Sequence, residues 1–465
     1  MQSLVLVCCL VALRDWKVGV LLFISIGFLQ DPVRKIVPGQ PGYFVVLAAV
    51  VFVAVVFSQM LRGYRFAPDD VPGWGGRVTR VIFAFFIVLA LQLITVYINL
   101  QSLGIVAIGI LGYVAPLMAI LSGFYFASRS GYAGVDRMMK FYLGWCVLFS
   151  AGIYIEYLGF DYPVLGEVGS GLLIYDIGAV FDPYSGLFRA TEVAAWHIAV
   201  GTALMAIFAV RSPTNLRRML WILGIIFLVA AGVLTGRRKV IVSMLIFGLT
   251  YWVFLLVMLR RSLRIAGVVC LVGALSVWAA TSSDLTRESG EGEFGLYVDR
   301  TSGVFGDVSS RAQSLGFATV VTAIKEKGIL GVGAGAYSQG SRFVGSRGAG
   351  FAWQSEGGFG RVVLELGLFG LIVIIWLFIV LMGYGWRMLR YLALRSTADF
   401  YTAAGLVSLL VANVAHFFVA SQVFGDPFIL IMLGLVSGII VASPVMARQR
   451  FNSEALPVRP DVVTV

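Results

Sequence analysis

The fold is decided by residues 219–259, which have the sequence MLWILGIIFLVAAGVLTGRRKVIVSMLIFGLTYWVFLLVML. Two long apolar runs flank a very short turn that carries Arg237, Arg238 and Lys239 in succession. Apolar runs of about 17–25 residues are long enough to cross a bilayer as α-helices. Across the 465 residues, 59% are hydrophobic and only 13% are charged. This balance predicts an all-α polytopic integral membrane protein and excludes a soluble globular one.

The same criterion places eleven spans along the chain, near residues 43–61, 79–99, 103–127, 138–158, 192–210, 217–234, 239–259, 263–281, 358–383, 401–420 and 427–445. The first 30 residues hold two shorter apolar runs, 3–13 and 18–30, separated by Arg14-Asp15-Trp16-Lys17. We expect an interfacial or half-inserted first helix followed by one short span. The total is about twelve transmembrane helices, with thirteen as the alternative.

Arg and Lys residues near the ends of the spans fix the predicted orientation, because cytoplasmic connections carry an excess of them. Most of these cations share one face, which is therefore cytoplasmic: Arg62, Arg65, Arg77, Arg80, Arg129, Arg137, Lys140, Arg211, Arg217, Arg218, Arg260, Arg261, Arg264, Arg387, Arg390, Arg395, Arg448 and Arg450. The other face carries 31–42, about 159–191, 235–238, 282–357 and 421–426. Any chemistry in these segments takes place outside the cytoplasm, where ATP and nucleotide sugars are absent.

Four regions follow from this topology. Residues 1–281 form an N-terminal bundle of about nine spans, with an outer, re-entrant-like segment near 161–191. Residues 282–357 form a large extracytoplasmic loop, which contains an amphipathic helical pattern from Ser309 or Ser310 to Gly328. We expect Leu315, Ala318 and Thr322 to share one stripe of that helix, beside a second stripe of Phe317, Val321 and Ile324. Three further spans occupy 358–447, and 448–465 form a cytoplasmic tail.

Arg237 and Arg238 break the charge bias, because their turn falls on the outer face. Cations at a helix C-terminus often contact lipid headgroups, and that is the alternative explanation. A turn this short does not need three cations, however. We therefore favour an anionic ligand, because the guanidinium group binds phosphate through two parallel hydrogen bonds.

Other outer residues are candidates for the same site. Arg189 stands at the entrance to a span and either lines a cavity or anchors the chain there with Glu192 as its local partner. Arg311 opens the loop helix, where free N–H groups also attract anions. Asp31, Arg34 and Lys35 form a second outer cluster, which a local ion pair explains in part. The run Gly331-Val332-Gly333-Ala334-Gly335 forms either an anion-binding nest or a tight turn.

Two carboxylates stand out at the last part of the loop. Glu356 precedes a span at the membrane surface, where it either performs acid–base chemistry or caps the helix. Glu365 lies inside that span, and Arg361 at i−4 is its expected partner. His197 and His416 are the only histidines, so a metal site built from several histidines is excluded. We expect both to be hydrogen-bonded packing residues, with His416 and Asn413 as the pair that lines a cavity.

The order of these features resembles the O-antigen ligase and O-antigen polymerase superfamily, bacterial GT-C-type enzymes that act on lipid-linked glycans. Thr235-Gly236-Arg237-Arg238-Lys239 looks like the Ser/Thr-Gly-Arg turn of that family. The helix from Ser310-Arg311 to the 331–335 glycines resembles its Arg-helix-GxGxG loop, and Glu365-Leu366-Gly367-Leu368-Phe369-Gly370 its ExGxxG motif. The similarity covers roughly residues 180–440. The ligases carry a His at the end of the large loop; Gln354, Ser355 and Glu356 stand there instead, which favours the polymerase side.

The resemblance implies a metal-independent glycosyltransferase of the bacterial inner membrane, with no cofactor and an active site that faces the periplasm. Its donor is a polyprenyl-diphosphate-linked oligosaccharide for O-antigen, capsule or exopolysaccharide synthesis, and a chain-length regulator and export proteins are its expected partners, with no nucleic acid. Arg189, Arg237, Arg238 and Arg311 would bind the diphosphate, and Glu356 would orient or deprotonate the acceptor. A ligase acting on a lipid or protein, a transporter or flippase, and the related peptidoglycan polymerases are the alternatives.

Overall fold

The computed structural model describes residues 1–64, 75–168, 183–259, 318–338, 340–341 and 357–455, and the backbone of 174–176 and 179–181. The helices of these residues are α1 (Gln2–Arg14), α2 (Trp16–Ile36), α3 (Leu47–Leu61), α4 (Gly75–Leu100), α5 (Leu103–Tyr157), α6 (Thr191–Arg211), α7 (Asn215–Leu234), α8 (Lys239–Leu259), α9 (Ala318–Lys327), α10 (Gly358–Arg395), α11 (Thr397–Val419) and α12 (Pro427–Ala455). Strands β1 (Ile174–Asp176) and β2 (Ala179–Phe181) pair as an antiparallel hairpin where we predicted the re-entrant-like segment.

Ten helices of the described residues are long and apolar enough to cross a membrane. The chain is thus a polytopic helical membrane protein, as its composition predicts. α5 contains the non-helical residue Gly131 (φ 62°), and both of its ends lie at the same end of the bundle. It therefore consists of two helices that reverse at Gly131, in agreement with the predicted spans 103–127 and 138–158. The predicted span 263–281 lies outside the described residues.

The N-terminal residues form a short helix followed by a long one. α1 has 13 residues, about 20 Å at the α-helical rise, which is too short for a full crossing. Asp15 ends α1 and caps α2, because its side chain accepts hydrogen bonds from the amides of Lys17 and Val18. α2 has 21 residues and is longer than the predicted run 18–30, since its polar last turn is buried in the protein.

α6 is the central helix of the bundle, and nearly all of its side chains are buried. Small residues on several of its faces, among them Ala195, Ala199, Gly201 and Ala203, let the neighbouring helices approach closely, as in other membrane proteins. α7, α8 and α11 pack against it, and α5 packs along α12. α6 therefore holds its first turn, Thr191 and Glu192, in a fixed position at the end of the bundle.

The glycine-rich segment after α9 packs backbone to backbone against α10. The amide of Val332 donates to the Leu364 carbonyl at 2.7 Å, and that of Leu368 donates to the Ile329 carbonyl at 2.8 Å. The second bond is possible because Gly367 (φ 71°, ψ 179°) interrupts α10. The amide of Ala334 likewise donates to the Gln92 carbonyl. These N–H groups serve tertiary packing, so the tight-turn alternative fits the segment better than an anion nest.

α9 is the described part of the predicted loop helix. Lys325 and Lys327 lie in its last turn, and Gly328 (φ 76°) ends it, as expected. Of the residues in the two predicted stripes, Ala318, Val321 and Thr322 are exposed, whereas Ile324 packs on the core. The face that packs on the core consists of Val320, Ala323 and Ile324. α10 lies beneath this face and sets which stripe is buried.

Candidate functional site

Charged side chains cluster at both ends of the helical bundle, and the two ends differ. At one end Arg211 pairs with Asp136, and Arg450 pairs with Asp399. The opposite end, here called the Arg237 end, brings together the ends of α2, α6, α7, α8, α10, α11 and α12. All of them are ends that we predicted to be extracytoplasmic. Segments far apart in sequence thus meet in one polar region.

The turn between α7 and α8 is built by Thr235 and Gly236. The Thr235 hydroxyl donates to the Gly232 carbonyl at 2.7 Å and accepts from the amide of Arg237 at 3.3 Å. Gly236 has φ 63°, a left-handed conformation that glycine adopts without a steric penalty. The chain reverses within these residues. Arg237 is thereby held at the end of α7, beside the first turn of α6.

The Arg237 guanidinium lies among three side chains, and we call this group the Arg237 centre: Arg237, Lys239, Thr191, Glu192 and Glu167. Its Nε donates to the Thr191 hydroxyl at 2.8 Å. Its other nitrogens lie 3.4 Å from Glu192 Oε1 and 3.9 Å from Glu167 Oε1. Lys239 Nζ lies 3.2 Å from the same Glu192 oxygen. Two cations therefore share Glu192 through long, single-oxygen contacts.

The carboxylates of the Arg237 centre have different surroundings. Glu167 accepts from both the amide and the hydroxyl of Thr191, at 2.8 and 2.5 Å, so it caps α6. Glu192 forms ion pairs with Arg237 and Lys239. It also accepts a hydrogen bond from the side-chain nitrogen of Gln422 at 2.7 Å, in the amide orientation that satisfies both Gln422 and Glu192. The Glu192 side chain is 21% exposed, while that of Glu167 is 9% exposed. Glu192 is therefore the more accessible of the two.

Arg189 has a closed environment made by two carboxylates. Its guanidinium contacts Asp31 at 3.0 Å and Asp426 at 2.5 Å, and its amide also donates to Asp31. Glu192, the expected local partner, pairs instead with Arg237 and Lys239, because it lies on the α6 turn that faces α8. Burial alone would lower the pKa of Arg189, but Asp426 and Asp31 outweigh it and raise that pKa further above its usual range.

The second outer cluster is also organised by distant residues. Asp31 forms its ion pair with Arg189 and not with Arg34 or Lys35, the local partners that we expected. Lys35 Nζ donates to the Gly186 carbonyl at 2.6 Å, and Arg34 Nε donates to the Gln40 carbonyl at 3.0 Å. Gly186 carries φ 57° and lies against α5. The Lys35 bond ties the end of α2 to the loop that presents Arg189.

Glu365 forms a buried centre of its own. Arg361 Nε contacts it at 3.3 Å, which is the pairing that we predicted. The Tyr113 hydroxyl donates to the same carboxylate at 2.7 Å, and the amide of Gly335 also donates to it, at 3.3 Å. Arg361 also donates to the Ser421 carbonyl, so this centre joins α5, the glycine segment, α10 and the end of α11.

The two histidines have the environments expected of packing residues. His197 is buried, and its Nδ1 lies 2.7 Å from the Tyr142 hydroxyl. His416 Nδ1 lies 3.0 Å from the Ser243 hydroxyl. His416 and Asn413 line one small pocket between α6, α8 and α11, as predicted.

Two predicted site residues, Arg311 and Glu356, lie outside the described residues. Arg238 is half-buried beside Arg237. The sequence reasoning missed Asp426, Glu167 and Tyr113 as partners. Asp426 carried a usable signal, since an acid before a proline at the start of an outer span is a good N-terminal cap. Glu167 and Tyr113 gave no such signal, because their partners lie in other helices.

Comparison with known proteins gave no relative. No protein-family model, no curated protein and no solved structure matches the chain. The class that the fold defines is therefore a polytopic helical membrane protein with a polar, partly buried cluster at one end.

Proposed function

We propose that the protein is a membrane glycosyltransferase that polymerises polyprenyl-diphosphate-linked oligosaccharides on the outer face of a bacterial inner membrane. The observation that carries this proposal is the Arg237 centre, where Arg237 and Lys239 share Glu192 at the membrane boundary. Charged groups that are mostly buried in a membrane protein are costly to keep, and they often mark a functional site. The ligand that fits two adjacent cations is an anion with several oxygen atoms.

The contact distances favour Arg237 over Arg189 as a ligand-binding residue. Arg189 has two carboxylates at 2.5 and 3.0 Å, so a diphosphate would have to displace both. Arg237 lies 3.4 and 3.9 Å from its two carboxylates, and its neighbour Lys239 is 27% exposed. In the proposal Arg237, Arg238 and Lys239 therefore hold the diphosphate. Arg189 positions the loop before α6, and Arg311 and Glu356 complete the site from the large loop.

The chemistry of transfer explains why arginines are useful there. An acceptor hydroxyl attacks the anomeric carbon, and the polyprenyl diphosphate departs as negative charge builds on it. Cations fixed beside the diphosphate lower the barrier, because their interaction with it strengthens as the bond breaks. This chemistry requires neither a metal nor a nucleotide. The proposal includes a GT-C-like arrangement of about twelve transmembrane helices.

Alanine substitution of the turn arginines tests the proposal. We expect Arg237→Ala to lower surface polysaccharide at least about 100-fold, the scale of a lost transition-state contact, and Arg238→Ala to lower it less. Polymer is measured on gels from a deletion strain that carries each variant. Arg211→Ala is the matched control, because Arg211 forms its ion pair at the opposite end. Full polymer in both turn variants, at normal protein levels, contradicts the proposal.

The lipid fraction of the same strains separates the alternatives. A polymerase defect leaves single repeat units on polyprenyl diphosphate at the outer face. A ligase defect leaves long polymer on that lipid, and a transport defect leaves repeat units at the inner face. Mass spectrometry of the accumulated lipid distinguishes the first two outcomes, and enzymatic digestion of intact spheroplasts identifies the third.

A further inference from the structure

Glu192 occupies an unusual position among the acidic residues of the Arg237 end. It lies in the first turn of α6, and its contacts are Arg237 at 3.4 Å, Lys239 at 3.2 Å and the Gln422 amide. All three are side-chain donors, and none is a backbone amide. These are the donors that an anionic ligand at this turn would use. Glu192 therefore occupies the space that a diphosphate needs.

Five other carboxylates of this end are committed to the fold. Asp31 and Asp426 hold Arg189. Glu156 accepts from the backbone amides of Ser185 and Gly186, at 3.0 and 2.6 Å. Glu167 caps α6 through Thr191, and Glu365 receives Tyr113 and the glycine segment. Moving any of them would break a backbone or buried contact. Glu192 can turn away from its partners without such a loss.

We propose that Glu192 is the resident anion of Arg237 and Lys239, that the donor diphosphate displaces it, and that the freed carboxylate then takes the proton of the acceptor hydroxyl. The idea rests on the proposed function. Glu192 thereby takes the role of acceptor base, which the sequence suggested for Glu356. Because two cations neutralise Glu192 until the donor arrives, the base becomes available only when the donor is bound.

The step balances in atoms and charge. The acceptor oxygen forms a bond to the anomeric carbon while the bond from that carbon to the diphosphate oxygen breaks. The electron pair of the broken bond leaves with the polyprenyl diphosphate, which Arg237 and Lys239 hold. The hydroxyl proton passes to Glu192 and from there to water. The product is a longer glycan and free polyprenyl diphosphate, with no change of oxidation state.

Glu192→Gln tests this role, because it keeps the shape and removes the base. The full-length protein in lipid nanodiscs is titrated with undecaprenyl diphosphate, and binding is followed by native mass spectrometry. We expect Glu192→Gln to bind this lipid as tightly as the wild type or more tightly, since the competing anion is gone. We expect polymer to fall about 100-fold, the scale of general-base catalysis. Arg237→Ala should weaken binding at least about tenfold.

Two results overturn the role of Glu192. One is polymer above half of the wild-type amount in Glu192→Gln. The other is a loss of undecaprenyl diphosphate binding as large as that of Arg237→Ala, which would make Glu192 only a support for the cations. Asp136→Asn, which removes a carboxylate from the ion pair at the opposite end, is the control and should change neither readout.

A second variant carries the test if Glu192→Gln does not accumulate. Glu192→Asp keeps the charge but withdraws the carboxylate by one methylene, so polymer should fall at least about tenfold with lipid binding unchanged. Equal polymer in this variant overturns the role. If Arg237→Ala changes neither binding nor polymer, the proposed function itself fails. If only the Glu192 variants behave as the wild type, the transferase stands and the base lies elsewhere.

Discussion

Arg189 and Arg237 lie at the same end of the bundle, and their partners give them different tasks. Arg189 is enclosed by Asp31 and Asp426, whose side chains are almost fully buried. Removing one member of a buried ion pair destabilises the fold, because the remaining buried charge loses its partner. Arg237 has longer contacts with its carboxylates and a more exposed neighbour, Lys239. Arg189 therefore serves the fold, and Arg237 is available to a ligand.

Removal of the Arg189 side chain should destabilise the protein strongly. In Arg189→Ala, Asp31 and Asp426 face each other without a cation, and we expect a loss of about 3–5 kcal/mol in the free energy of unfolding. The midpoint of thermal unfolding in detergent measures it. Adding Asp31→Asn and Asp426→Asn should restore part of the loss. An unchanged midpoint in Arg189→Ala would show that the buried group is not needed.

Part of this site was predictable from the sequence. Arg237 was found because its position contradicts the charge bias of the loops, and the Arg361–Glu365 pair follows from helical spacing. The pairing of Arg189 with Asp426 was not predictable, because it depends on how α12 docks beside α2. Arg189 and Glu192 are three residues apart, yet helix packing gives them separate partners.

At the scale of elements, Gly367 shows how one residue shapes the large loop. Its ψ of 179° at positive φ interrupts α10 and frees an amide for the segment that follows α9. A Cβ at Gly367 would lie 2.6 Å from the Leu330 carbonyl oxygen. Gly331 and Gly367 thus pack against each other, while Gly333 and Gly335 pack against Val96 and Gly109. The two loosely spaced glycine motifs of the sequence form one structural contact.

Gly367→Ala should therefore destabilise the protein. Alanine is strained in this backbone conformation by about 1–3 kcal/mol, and the contact with Leu330 adds to the cost. Gly383→Ala in the same helix is the matched control, because its Cβ meets open space. That change should be neutral or stabilising by about 0.5–1 kcal/mol. Thermal unfolding compares the two variants, and an equal effect would contradict the role of Gly367.

The positions of the helices were predicted better than their buried faces and their polar ends. Long apolar runs determine where helices form, so α6, α7, α8 and α11 match the predicted spans closely. The buried face of the loop helix was not predictable, because the position of α10, and not the period of α9, decides which stripe is buried. α10 and α12 continue past the predicted ends of their spans, to Arg395 and Ala455. Polar residues extend a helix beyond its apolar part without a hydropathy signal.

On the scale of the whole molecule, the bundle separates its charged residues into two ends. Arg211 and Arg450 mark one end, and the Arg237 centre marks the other. The predicted orientation puts the Arg237 end outside the cytoplasm, where the lipid-linked donor would be presented. The other end then faces the cytoplasm; this orientation is a prediction from the charge bias of the connecting loops.

Cysteine labelling in intact spheroplasts tests the orientation. Tyr162 lies exposed in the connection between α5 and α6, and Pro213 lies exposed between α6 and α7. We expect a membrane-impermeant maleimide to label Tyr162→Cys in intact cells and Pro213→Cys only after permeabilisation. The native cysteines are replaced by serine beforehand. The opposite pattern would place the Arg237 centre in the cytoplasm and contradict the orientation.

The most direct test of the central claim is glycan transfer by the purified protein. The protein is reconstituted in liposomes with lipid-linked oligosaccharide extracted from a strain that lacks its gene, and the products are analysed by mass spectrometry. The account predicts glycans of two or more repeat units on the lipid, with one polyprenyl diphosphate released for each bond formed, and no such products with Arg237→Ala. Unaltered single repeat units that only move between the leaflets would contradict it.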